Sequence, residues 1–169
     1  LWELLVEAAD GPATWDALIA AGAPLGAVPL GGGVTGTTAR LEAGLPSRAL
    51  DFVGGYSLVE AGWRGPLRDA PFVGRAALAR WLAEPSGVIR CTLAVTDHRS
   101  PHGDLRFPLS GEPVTTPAGE LLVDAQGRRS FVTSAGSSPT LGRHLLTAYL
   151  PPELARVGME LAVEYFGDP

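Results

Sequence analysis

The sequence predicts an α+β chain in two parts: mixed helices and strands over residues 1–85, then an all-β segment over 86–169. Two observations carry this expectation. The apolar residues recur at helical spacing up to Leu82 and alternate beyond Val88, with Glu84-Pro85-Ser86-Gly87 as the break between the two periods. The 22 glycines and 15 prolines are spread between apolar segments, so they read as turns joining short elements and not as disorder.

Taken in order, Leu1 to Glu7 reads as a short buried strand interrupted by Glu3, a lone acid that needs a partner or an exposed end. Asp10-Gly11-Pro12 starts a helix, with Pro12 in the first turn. Trp15, Leu18 and Ile19 fall at i, i+3 and i+4, and Gly22 closes it. Gly31 to Thr38 has the G-x-x-x-x-G spacing of a phosphate loop, but Thr37 stands where the lysine belongs. The stretch therefore reads as a flexible approach to a helix, or a weak anion site at its start. Arg40-Leu41-Glu42-Ala43-Gly44-Leu45-Pro46 is a short amphipathic helix, capped by Thr37 or Thr38 and stopped by Gly44 and Pro46. From Asp51 to Arg68 the signals are mixed, with Gly54-Gly55 and Gly65-Pro66 as turns. Phe72-Val73-Gly74 then leads into a helix with Leu78, Trp81 and Leu82 on one face. Beyond it, strands are expected at 90–95, 121–124, 130–134, 144–150 and 160–165, with Ala125-Gln126-Gly127 as a turn. In the last of these, Leu161, Val163 and Tyr165 share a face opposite Glu160 and Glu164. Short strands at regular intervals indicate a small barrel or a sandwich.

Composition bounds the function. The chain is 46% hydrophobic and 18% charged with net charge −5, enough apolar content for a core and no basic tract for nucleic acid. No run of 18 apolar residues is present, so no membrane span is expected. Cys91 is the single cysteine, which excludes an intrachain disulfide and a multi-cysteine metal site and fits a cytoplasmic protein. The chain enters an apolar run at Leu1 without a signal-peptide pattern, and it is expected to start partway through a larger fold.

Four ordered motifs carry a family resemblance: RLEAGLP at 40–46, Val59-Glu60-Ala61-Gly62, Phe72-Val73-Gly74-Arg75-Ala76-Ala77-Leu78, and Val132-Thr133-Ser134 leading to Ser138-Pro139-Thr140-Leu141-Gly142. Together they resemble the C-terminal half of the glycine cleavage T-protein (aminomethyltransferase) family, which includes folate-linked demethylases. The resemblance implies that 1–85 is the C-terminal part of a folate-binding α+β domain and that 86–169 is a small antiparallel β-barrel. It implies an enzyme passing a one-carbon unit from an amine-type donor to tetrahydrofolate. Trp2-Glu3-Leu4 stands where the family has Tyr-Glu-Ile, so Glu3 is expected to accept paired N–H bonds from the pterin ring, with Trp2 beside it. Arg40, Glu60 and Trp63 are further expected folate contacts, Trp63 by stacking on the aminobenzoyl ring. For Arg40 and Glu42 the competing expectation is structural, tying their helix to neighbouring backbone. A branch that assists iron–sulfur assembly carries K-G-C-Y-x-G-Q-E at the position of Asp69 to Ala76, and no cysteine lies there.

The chain also departs from the family. Gly36 and Thr37 stand where an arginine and an aspartate precede the RLEAG helix, and the resemblance leads one to expect the family's catalytic aspartate upstream of Leu1 and its extra C-terminal tail beyond Gly167-Asp168-Pro169. The catalytic group in this chain is therefore unknown, and a second polypeptide is expected to complete the folate cleft. The alternative expectation is a non-catalytic folate-binding or scaffold module. Elsewhere, His98 and His102 read as a solvated turn broken by Pro101 and Gly103. Ser134 reads as a turn residue and Cys91 as a buried, inert thiol.

Overall fold

The computed structural model describes residues 2–53, 55–100 and 102–166. Leu1, Gly54, Pro101 and the Gly167-Asp168-Pro169 tail, all named above, lie outside the described residues. The chain forms two compact units, Leu1–Thr35 and Gly36–Pro169.

The first unit is helical. A 3-10 turn at Ala8–Asp10 leads into α1 (Gly11–Gly22), with Pro12 in its opening turn as expected. Gly22 is the last residue of the helix, as expected. Its φ is an ordinary right-handed −82°, and the chain runs on through a 3-10 turn to Gly26 at φ 75°, which is the left-handed stop. Ala27 N–H donates to the Gly22 carbonyl at 3.0 Å, and a Cβ at 22 would stand 2.6 Å from the Ala27 Cβ, which is what requires a glycine there. Residues 2–7 form no strand. No described segment pairs with them, so the ladder that defines a strand is missing. Trp2 is 95% exposed and Leu5 97%, so the expected burial of this segment is corrected as well.

The second unit is built around one sheet in the order β1-β4-β3, all antiparallel, from β1 (Ile89–Ala94), β3 (Val132–Ser138) and β4 (Arg143–Leu150). The strands β2 (Val114–Thr115) and β5 (Ala162–Val163) form a second antiparallel pair. The expected strand at 121–124 is reduced to single bridges, Thr115 with Leu121 and Val123 with Arg129. No closed barrel is formed among the described residues. With β2 and β5 only two residues long, the ladder is not continuous around the sheet.

The central strand is β4, buried on both faces from His144 to Leu150. Leu146, Ala148 and Leu150 pack with Val114, Leu122 and Val132 in the apolar core. The alternate residues Thr147 and Tyr149 meet the segment 36–62 on the opposite face. A π-helical stretch, Val34–Ala39, runs into the short helix α2 (Arg40–Glu42) in that segment. Thr37 and Thr38 therefore lie inside helical backbone and do not cap it. The residue before α2, Ala39, is itself helical at φ −64° and ψ −37°. The stop is as expected: Gly44 sits at φ 66°, with Gly44 N–H to Leu41 O at 3.0 Å and Leu45 N–H to Arg40 O at 2.8 Å. A third helix, α3 (Arg75–Ala83), starts at left-handed Gly74 and buries Leu78.

Gly136 on β3 is what lets α2 lie on the sheet. A Cβ there would stand 2.7 Å from Thr37 Cγ2 and 3.0 Å from Leu41 Cδ1. Gly136→Ala is therefore expected to destabilise the fold by about 1–3 kcal/mol through overpacking. Urea denaturation of the two proteins measures it, with the m-value unchanged.

Candidate functional site

Asp51 lies at the centre of the second unit, fully buried between α2 and the sheet. Its Oδ1 accepts hydrogen bonds from Thr133 Oγ1 at 2.5 Å, Ser134 Oγ at 2.6 Å and Thr147 Oγ1 at 2.8 Å. Its Oδ2 accepts from Ser47 N–H at 2.6 Å and pairs with Arg40 Nη1 at 3.2 Å. The Asp51 carbonyl also accepts the Tyr149 hydroxyl proton at 2.7 Å. Consecutive strand residues normally face opposite ways, yet both Thr133 and Ser134 reach one carboxylate oxygen. The cause is a slip in register: Val132 pairs with Ala148 and Ser134 with Thr147, a bulge that turns the two hydroxyls to the same side. Ser134 is thus a fully buried strand residue, not a turn residue. Burial pushes the Asp51 carboxyl up, and the bonds from Ser134, Thr133, Ser47 and Thr147 outweigh that, so the net shift is down.

Glu42 holds the hairpin that joins β3 to β4. It accepts from Ser138 Oγ at 2.6 Å, Thr140 N–H at 3.0 Å and Thr140 Oγ1 at 2.7 Å, while Leu141 N–H donates to Ser138 Oγ at 3.1 Å. Two of the sequence motifs therefore meet here, RLEAG on one side and SPTLG on the other. These bonds, that from Ser138 foremost, hold the Glu42 carboxyl below its ordinary range.

Glu60 closes a single helical turn as a capping box. Glu60 N–H donates to Ser57 Oγ at 3.1 Å, and Ser57 N–H donates to Glu60 Oε2 at 2.7 Å. Gly62 ends the turn at φ 97°. The Glu60 carboxylate also takes Arg128 Nη2 at 2.5 Å, and Arg128 Nε reaches Asp124 Oδ2 at 2.6 Å. The guanidinium lies 4.7 Å above the Tyr56 ring, which stacks on Tyr149 at 3.6 Å with 9° between the planes. Arg90 ties this turn to α2, donating to the carbonyls of Ala61 and Gly44.

The expected folate residues do not share one network. Arg40 is buried, giving its Nε to Gly36 O at 2.7 Å and its Nη1 to Asp51, and Glu60 is held by Arg128. Trp63 folds over Gly65, where a Cβ would stand 2.5 Å from the indole. Trp2 and Glu3 lie in the first unit, both exposed, and the Glu3 carboxylate has no partner among the described residues. His98 is not in a solvated turn. It packs against Phe107 and His144, 5.3 and 6.0 Å between ring centroids, while His102 is exposed. Among the described residues no group of three or more metal-ligating side chains forms. Cys91 is half-buried against the apolar core, and burial pushes its thiol pKa up.

The family model of the glycine cleavage T-protein C-terminal barrel domain matches residues 105–169. Aminomethyltransferase of Streptomyces avermitilis is 34% identical over 95% of the chain, and that of Geobacillus kaustophilus is 32% identical over 98%. Aminomethyltransferase of Thermosynechococcus vestitus is 34% identical over 96%. The chain belongs to the glycine cleavage T-protein family. It corresponds to the C-terminal part and spans 40–42% of the length of these three aminomethyltransferases. No helix of the described residues is long and apolar enough to cross a membrane.

The residue that sequence reasoning missed in this T-protein relative is Asp51. Its one local signal is an acid between apolar Leu50 and Phe52, a few residues past the Gly44-Leu45-Pro46 helix stop. Because the folded Asp51 carboxyl lies below its unfolded value, its contribution to stability is complete above the ordinary aspartate pKa of about 3.9 and is lost as pH falls through the folded value. Asp51→Asn is expected to destabilise the protein at pH 7 by about 3–5 kcal/mol, since it leaves Arg40 buried without its counter-charge. It should also flatten the acid limb of the stability profile. Chemical denaturation of both proteins from pH 7 down to pH 3 measures the two effects together.

Proposed function

We propose that this chain is the C-terminal part of a tetrahydrofolate-dependent aminomethyl or methyl transferase, in which a one-carbon unit passes from an amine-type donor to tetrahydrofolate. The observation that carries the proposal is the family membership combined with an exposed carboxylate at Glu3 that has no partner among the described residues. A carboxylate without an internal partner fits the paired N–H groups of an aminopyrimidine edge. Trp2, equally exposed, offers an apolar face for the same ring system. The fit is partial, because Gly36 brings no side chain and Arg40 and Glu60 are already engaged with Asp51 and Arg128. Tetrahydrofolate, when bound, supplies the nitrogen that accepts the one-carbon unit. This chain would orient the pterin and form part of the cleft wall, while a second polypeptide supplies the acid–base group and the rest of the cleft. In the same proposal, residues 1–85 belong to the folate domain, 86–169 close into a small antiparallel barrel in the complete family fold, and the protein acts in the cytoplasm.

The engagement of Arg40 and Glu60 in internal ion pairs favours a second reading, a non-catalytic folate-binding or scaffold module of the same family. Calorimetric titration with tetrahydrofolate separates the two. Glu3→Gln is expected to lower affinity by about 1–3 kcal/mol if Glu3 holds the pterin. Unchanged affinity, or no binding by the unsubstituted chain, supports the scaffold. Tetrahydrofolate-dependent turnover by this chain alone would overturn the need for a second polypeptide.

A further inference from the structure

A cleft of about 370 Å³ opens between the C-terminal end of α3, the turn at 55–57 and the turn at 124–128. This volume falls in the range of small-molecule sites. None of the residues assigned to folate lines it except Glu60, whose carboxylate faces Arg128 there. One wall is the half-buried indole of Trp81, and beside it stands Glu84, exposed and with no partner for its carboxylate among the described residues. On the far side the Gln126 side-chain amide is likewise without a hydrogen-bond partner. Gly87 lies on the floor beside them, where a Cβ would stand at ordinary contact distance from the Gln126 amide and Arg128 Nη2.

The charge at this cleft has a definite sign. Arg128 is its one cation, and both Glu60 and Asp124 hold that guanidinium at 2.5 and 2.6 Å, so it is not free to hold an anion. Glu84 then adds a carboxylate with nothing to balance it. The cleft also lies at the C-terminal end of a nine-residue helix, the negative end of the helix dipole. An indole face beside an unbalanced carboxylate is the arrangement that holds an ammonium group, through the ring quadrupole on one side and direct charge on the other.

We propose that this cleft binds a compact organic cation, of the ammonium class, seated on Trp81 and facing Glu84, with the Gln126 amide as its polar contact. The proposal stands whether or not the chain takes part in one-carbon transfer.

Titration of the full chain with tetramethylammonium chloride, followed by ¹⁵N-resolved NMR, tests it. The expected result is a saturable shift of the Trp81 indole N–H and of the Gly87 and Gln126 amides. Glu84→Gln, at an exposed position that leaves the fold intact, should weaken binding by about threefold. The neutral isostere tert-butanol should shift none of these signals. Absence of a saturable shift would overturn the proposal. So would equal shifts with tert-butanol, unchanged affinity in Glu84→Gln, or perturbation of the same amides by inorganic phosphate instead of the cation.

Discussion

A buried carboxylate is the constraint on which the second unit depends. Burying an ionised carboxylate is unfavourable by several kcal/mol unless the lost water is replaced, and Asp51 lies wholly out of solvent. Three hydroxyls, one backbone N–H and one guanidinium replace that water. Each donor dictates something about the chain around it. The two hydroxyls from neighbouring residues on β3 require the bulge at Thr133, and the third fixes the register of β4 at Thr147. Ser47 N–H reaches the carboxylate because the Gly44 stop turns the chain back beneath α2. Gly136 then clears the space that α2 occupies.

The other ion-pair centre works on the same principle with a different purpose. Glu60 serves its own helical turn as a capping box and, with the same carboxylate, receives Arg128 from the far side of the unit. Arg90 and the Tyr56–Tyr149 stack link that centre to the surroundings of Asp51. The family motifs RLEAG and SPTLG are thus parts of one clasp, because Glu42 of the first accepts the hydrogen bonds of the second. On the proposed reading, the polar residues of these motifs hold the wall of a cleft in shape. Recognition of the pterin then falls to side chains that remain free, Glu3 first among them.

What the sequence disclosed, and what it did not, follows the range of the interactions. The Gly44 stop, α1, α3 and the strand at 144–150 were legible because local turn chemistry and apolar periodicity decide them. The caps expected from Thr37 and Thr38 failed because the helical backbone begins several residues earlier, in a π-helical stretch with no sequence signature. The strand expected at 1–7 has the right residues, but among the described residues nothing pairs with 2–7. Ser134 was misread because a bulge is a property of two strands together. Asp51 was missed for the same reason: its hydroxyl partners stand 82 to 96 positions away in the chain.

A double-mutant cycle between Asp51 and Thr147 tests the central claim most directly. Stabilities of the parent chain, Asp51→Ala, Thr147→Val and the double variant would be taken from urea denaturation at pH 7. If the buried carboxylate organises the sheet through its hydroxyl donors, the two substitutions couple by about 1–3 kcal/mol. Effects that add to within about 0.5 kcal/mol would contradict the account, leaving Asp51 as a local partner of Arg40 alone.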